Sequence, residues 1–177
     1  MPPHAPARDW LAHSRVHPRG SSDHFVVDPM IAGIPTTKQV LRMVTDHLTN
    51  ASEFCVDPIG GPDRCPYALP SISRADPHFH DNDYWRGRAW GPLNLLVWIA
   101  LAQPEYAGIP AVSAARKGLV KQSHSLLMVE WHSHRRVHEN YNSTTGIGGG
   151  VINSNPFYHW GAALGYIGFR EAIEFGV

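Results

Sequence analysis

The chain has 177 residues, 15 Lys plus Arg against 15 Asp plus Glu, and 43% hydrophobic residues. That length suits one domain with a sizeable core. The zero formal charge removes the electrostatic case for a nucleic-acid or anionic-membrane partner, and no apolar run approaches the roughly 20 residues of a membrane span.

Residues 1–30, rich in Pro, His and Arg, show no sustained period and read as a poorly ordered N-terminal segment ahead of a single unit over residues 31–177. The start lacks the apolar stretch of a signal peptide, so a cytoplasmic and a secretory address both stay open. A first helix opens at "TTKQVLRMVTDHL", where Thr36 and Gln39 fit a capping box and Val40, Leu41, Val44 and Leu48 recur at helical spacing. Cys55 and Cys65 follow, bracketing a turn-rich insert. Two free thiols and a disulfide closing that loop are both compatible with the spacing, the second suiting an oxidising compartment.

Residues 51–90 read as one long run of turns, punctuated by seven Pro and Gly positions from Pro58 to Pro77. A loop of that length inside a compact domain is usually functional or disordered, and its aromatics, arginines and acids favour function. A second helix begins at Pro92, a good first-turn residue; "LNLLVWIALA" is apolar almost all round and predicts burial on most sides. The third runs from about Pro110 to about His134. After the loop "VHENYNSTTGIGGGVINSN", a fourth is expected from Asn155 as cap and Pro156 in the first turn to Gly176. Gly161, Gly165 and Gly168 share a face of it, which predicts close backbone approach to a neighbour, since glycine costs roughly 1 kcal/mol inside a helix. No strand pattern competes, so the chain reads as all-α.

Chemistry gathers in the loops. Glu139 lies in "HENYN" among aromatic and amide groups, an arrangement in which a carboxylate acts as general base on water; a solvated helix-ending acid is the plainer reading. The stretch "DNDYWRGRAWGPLN" offers Tyr84, Trp85, Arg86, Arg88, Trp90 and Asn94, flat aromatic faces and polar groups of the kind that bind the C–H faces and hydroxyls of a sugar. A buried aromatic corner with a stacked arginine fits the same composition. His134 and His138 at helical spacing beside Glu139, and His78, His80, Asp81 and Asp83, are two histidine–acid groups without a zinc spacing, so no metal and no cofactor is assigned. Asn50 and Asn142 open glycosylation triplets; a glycan on Asn142 would crowd Glu139, so Asn142 is expected to be unmodified.

"PSISRADPHFHDNDYWRGRAWGPLNLLVWIAL", "HENYN" and "SNPFYHWGAALGYIGF" occur in that order over roughly residues 30–177. Together they resemble the C-terminal part of glycoside hydrolase family 63, on the side of its bacterial α-glucosidases and mannosylglycerate hydrolase-like members. The resemblance implies part of an (α/α)6 barrel and an inverting, exo-acting α-glycosidase, in first place an α-glucosidase, acting on an oligosaccharide or small glucoside. It implies Glu139 as general base. Tyr84, Trp85, Arg86, Arg88, Trp90, Asn94, Tyr141, Phe157, His159 and Trp160 are implied as the sugar pocket, with Tyr158 in the same wall motif.

The family's general acid is an aspartate in an earlier loop, for which the sequence offers no counterpart. Asp81 and Asp83 are poor substitutes, because loop acids beside arginines are usually ion-paired. Four helices of about 10–14 residues do not close such a ring. The reading is therefore a C-terminal fragment carrying the base without the acid. The alternative is a catalytically dead remnant that binds carbohydrate weakly. Either way the apolar flanks of helices two and four are expected to be exposed and to favour association.

Overall fold

The computed structural model describes residues 33, 35–57, 65–150 and 153–176; the N-terminal segment expected to be poorly ordered lies outside them. The fold is mostly helical. Helix α1 (Thr37–Met43) starts at the predicted capping box: Gln39 Oε1 accepts from the Thr36 N–H at 2.8 Å, and Thr36 Oγ1 accepts from the Gln39 N–H. It runs on as a π turn, Val44–Leu48, and buries Val40 and Val44, with Met43 and Leu48 packed beside them. Leu41 is partly buried but does not pack against this core, whereas Met43 does.

The remaining helices are α2 (Gly91–Leu101), α3 (Pro104–Ala107), α4 (Pro110–His134) and α5 (His159–Phe175). Prolines open α2, α3 and α4, where a missing N–H costs nothing. Gly176, at φ 66°, ends α5 in the left-handed turn that glycine adopts without strain. Helices α2, α4 and α5 pack on one another. Their main core joins Val97, Trp98, Leu101, Val112, Leu119 and Ile167 to Val40 and Val44 of α1. Each such side chain contributes about 1.5–3 kcal/mol by leaving water. Trp98 is fully buried because its Nε1–H donates to Glu171 at 3.0 Å, and Glu171 is in turn paired with buried Arg116 at 3.0 Å.

Several expectations change here. Cys55 and Cys65 are joined in a disulfide, against the free-thiol reading. Gln122 of α4 fastens both ends of that loop, its Nε2 donating to the Cys55 and Cys65 carbonyls at 3.0 and 2.6 Å. A short antiparallel ladder exists where no strand was expected: β1 (Arg88–Ala89) pairs with β2 (Tyr141–Asn142) in the register Arg88↔Asn142 and Ala89↔Tyr141.

Helix α5 starts at His159, later than Pro156. Residues 155–158 are drawn out of the helix by pairing with 137–139: Glu139 N–H donates to Asn155 O and Tyr158 N–H to Val137 O. Gly161 meets its neighbour as predicted, a side chain there landing 2.3 Å from the His138 carbonyl. Gly168 has open space around it, so its glycine serves no packing in this fold. The expected apolar exposure is partial on α2, where Leu93, Leu95, Leu96 and Ile99 are partly exposed and none is fully so. On α5 the expectation holds, with Tyr166, Phe169 and Ile173 exposed.

Candidate active site

Two loops meet at the β1–β2 ladder, and Arg88 joins them. Its side chain is buried and runs across the gap: Nε donates to Asn140 Oδ1, Nη1 to Asn82 O, and Nη2 to Gly148 O at 3.3 Å and to Ile147 O and Asn140 O at 3.5 Å. Burial lowers its pKa and Asp83 pulls the other way. Two serines complete the clip, with Ser71 Oγ donating to Trp85 O and Ser143 Oγ to Gly87 O. Gly87 sits at φ 91° with the Phe79 carbonyl where a side chain would be, so only glycine fits this crossing.

An aromatic shelf grows from the first loop. Trp85 stacks flat on Trp90, centroids 3.8 Å apart and planes 8° apart, and Tyr84 meets both edge-on. Trp90 touches Trp160, which touches Tyr158 and His159. Trp90 itself is buried, with Nε1–H donated to Tyr84 O at 3.1 Å. The faces open to solvent are Tyr84 (37% exposed), Trp85 (41%) and Phe157 (72%). Tyr84 and Phe157 hold φ of 46° and 65°, a left-handed conformation costing a bulky residue on the order of 1–3 kcal/mol. The Arg136 guanidinium lies 5.6 Å from the Phe157 ring.

Glu139 stands in the second loop, one residue from the Asn140 that Arg88 grips. Its backbone is fixed on both sides. His138 bridges Pro156, and the His138 N–H donates to the Tyr141 hydroxyl at 2.9 Å. Asn140 Nδ2 donates to Asn153 O, and Ser154 Oγ to Asn140 O, both at 2.7 Å. The half-buried Glu139 carboxylate has no hydrogen-bond or ion-pair partner among the described residues. Three other acids, Asp81, Asp83 and Glu130, are engaged. Asp81 and Asp83 flank Arg86 at 2.9 and 2.7 Å. Glu130, at the end of α4, accepts from the Gly148 and Gly149 N–H groups at 2.9 and 3.2 Å and from His134 Nδ1 at 2.9 Å. Burial works to raise the Glu130 pKa, but the Gly149 and Gly148 N–H groups, His134 and His138 outweigh it and hold the carboxyl below its ordinary value.

The sequence-predicted pocket residues therefore divide. Tyr84, Trp85, Arg86, Phe157, His159 and Trp160 lie on the exposed or half-exposed side of the shelf. Arg88, Trp90, Asn94 and Tyr141 are buried in the fold behind them. Asn94 spends its amide on Leu69 and Trp90 backbone. The Tyr141 hydroxyl, pushed up to about 12 by burial, accepts from the chain just before Glu139. These four hold the wall up from behind. His134 and His138 converge on Glu130, not on Glu139. Among the described residues no three His, Cys, Asp or Glu side chains group so as to hold a metal ion. Glu130, Ser71 and Ser143 went unnoticed in the sequence, and Asn140 was read only among the amides around Glu139; the Glu130–His134 spacing of one helical turn is the one signal for Glu130.

A helical frame with stacked aromatics on one loop and, on the other, a carboxylate without a partner among the described residues suits the glycoside hydrolases. The comparison with known families places this chain among them. The profile of the mannosylglycerate hydrolase MGH1-like glycoside hydrolase domain matches residues 19–161, most of the chain, and the chain belongs to that family. The chemistry of the family is hydrolysis of glycosidic bonds. No curated protein matches the chain.

Proposed function

We propose that this chain carries the water-activating half of an inverting, exo-acting α-glycosidase, with α-glucosides as the first substrates to test. Glu139 is the general base. It takes a proton from a water that attacks the anomeric carbon, while an acid about 6.5–9.5 Å away protonates the departing oxygen. One observation carries this reading: within the two site loops, Glu139 is the carboxylate that a fixed backbone presents without a partner among the described residues, while Asp81 and Asp83 are tied to Arg86. The exposed Trp85 ring supplies a flat face on which a pyranose C–H face stacks, with exposed Tyr84 edge-on beside it and exposed Phe157 as a further ring. His159, Trp160 and Arg86 edge it. The helices are read as part of an (α/α)6 barrel, and neither metal nor cofactor has a part in this mechanism.

The test is Glu139→Gln, which preserves shape and removes the base. Loss of a general base costs about 10²–10⁴-fold in turnover, so kcat on an activated α-glucoside such as α-glucosyl fluoride, whose leaving group departs without a proton donor, should drop by that much with sugar binding retained. Wild-type turnover in the variant refutes the assignment.

The pairing of Asp81 and Asp83 with Arg86 favours one alternative, a chain that binds carbohydrate without cleaving it. Under that reading calorimetry detects glucoside binding, and Glu139→Gln leaves both affinity and the absent turnover unchanged.

A further inference from the structure

Glu130 lies nine residues before Glu139 and on a different element, yet the loop around the proposed base converges on it. Its side chain is 5% exposed. One carboxylate oxygen takes the N–H groups of Gly148 and Gly149. The other takes His134 Nδ1 at 2.9 Å and faces His138 Nε2 at 3.7 Å. Arg88 grips the same turn from the opposite side, through the Gly148 carbonyl. The Gly148 unit is thus held by a carboxylate at its N–H and a guanidinium at its C=O. The His138 ring packs on Gly148 so closely that a side chain there would lie 2.3 Å from it. His138 is peptide-bonded to Glu139, so a shift of the ring or the turn moves the base.

We propose that Glu130 is a positioning residue for Glu139, setting the base through His138 and the Gly148–Gly149 turn. The inference rests on the reading of Glu139 as general base. The ionised state of Glu130 follows from its donors: a carboxylate that accepts two backbone N–H bonds and an imidazole N–H is stabilised in its charged form. A glutamine at this position keeps one acceptor oxygen and the shape of the side chain. It turns the other oxygen into an NH2 group that faces two imidazoles, so the turn is kept but loosened.

The experiment compares four forms of the full chain on the same activated α-glucoside: wild type, Glu130→Gln, Glu139→Gln and the double variant. It reads kcat, KM and, by NMR, amide exchange at Gly148, Gly149 and Glu139. Misplacing a catalytic group by about 1 Å costs on the order of 10²-fold. Glu130→Gln is expected to lose roughly 10- to 100-fold in kcat with KM little changed. Exchange should quicken at those three amides and stay unchanged in α2. The double variant should be no slower than Glu139→Gln alone, because residues acting as one unit do not add.

Wild-type kcat in Glu130→Gln, with Glu139→Gln inactive, overturns the positioning role and leaves the base assignment standing. Losses that multiply in the double variant also overturn it, since they mark a general structural defect. Wild-type turnover in Glu139→Gln, or no turnover in wild type, overturns the base assignment and the positioning role with it. Should Glu130→Gln not fold, Glu130→Asp keeps the charge and is read by the same criteria.

Discussion

Gly161 offers a sharp test of how α5 docks on the site. An alanine Cβ at this position would lie 2.3 Å from the His138 carbonyl oxygen and 2.9 Å from the Tyr141 hydroxyl. Ordinary contact is farther by about 1 Å, so α5 and the 137–141 segment must separate by that amount. Gly168 on the same helix is the control, since an added Cβ there meets nothing within 4 Å. Both substitutions gain the same helix propensity, about 1 kcal/mol, and that gain cancels in the comparison. What remains is the overpacking cost, typically about 1–3 kcal/mol. Gly168→Ala should therefore raise stability by about 1 kcal/mol, while Gly161→Ala falls below Gly168→Ala by about 1–3 kcal/mol. Urea unfolding followed by circular dichroism measures both. Because His138 adjoins Glu139, Gly161→Ala should also lower kcat, and Gly168→Ala should leave it alone. If the two variants are equally stable, the close approach of α5 to His138 is wrong, and so is the account of why glycine stands there.

Two further outcomes follow from the buried polar groups and the disulfide. Replacing Cys55 and Cys65 together with serine opens a loop of sequence separation 10; the chain-entropy relation gives a loss of about 2.7 kcal/mol. Intact mass after alkylation under denaturing, non-reducing conditions should show no free thiol in the wild type, and finding two would refute the bridge. Acid should weaken the fold through two groups of one cluster. The Glu130 pKa lies below its ordinary value, so its contribution is present above the unfolded carboxylate pKa and disappears as pH falls through the folded one. The His138 pKa is lowered by burial, Glu130 opposing; its neutral form is favoured, and stability starts to fall once pH drops below about 6.5, the value of a free imidazole. Urea midpoints at pH 7 and pH 4.5 should differ by less in a Glu130→Gln/His138→Gln variant than in the wild type; an equal difference would put the acid sensitivity elsewhere.

Local signals carried much of the frame. Pro92, Pro110 and Gly176 mark helix ends by backbone chemistry that acts over one or two residues, and those ends stand where they were read. The start of α5 was misread from Pro156, because what delays it is pairing with residues 137–139, a contact no window around Pro156 contains. The site was legible in residue type more than in role. Trp85 and Trp90 look alike in sequence, yet one is a solvent-facing surface and the other the layer beneath it. Arg88 and Asn94 carry the donors a sugar needs but spend them on backbone carbonyls brought in from far along the chain. Glu130 shows the reverse error: a helix acid of ordinary appearance gains its place only when the Gly148–Gly149 turn closes over it.

The Gln122 amide has one more consequence. By fastening the carbonyls of both Cys55 and Cys65 to α4, it fixes two chain ends whose Cα atoms are 6.0 Å apart, whatever lies between them. Closing a flexible loop grows costlier only slowly, by about 0.6 kcal/mol for each doubling of length. Sequence added between these cysteines would start and end on carbonyls that α4 holds, at an added closure cost of that size.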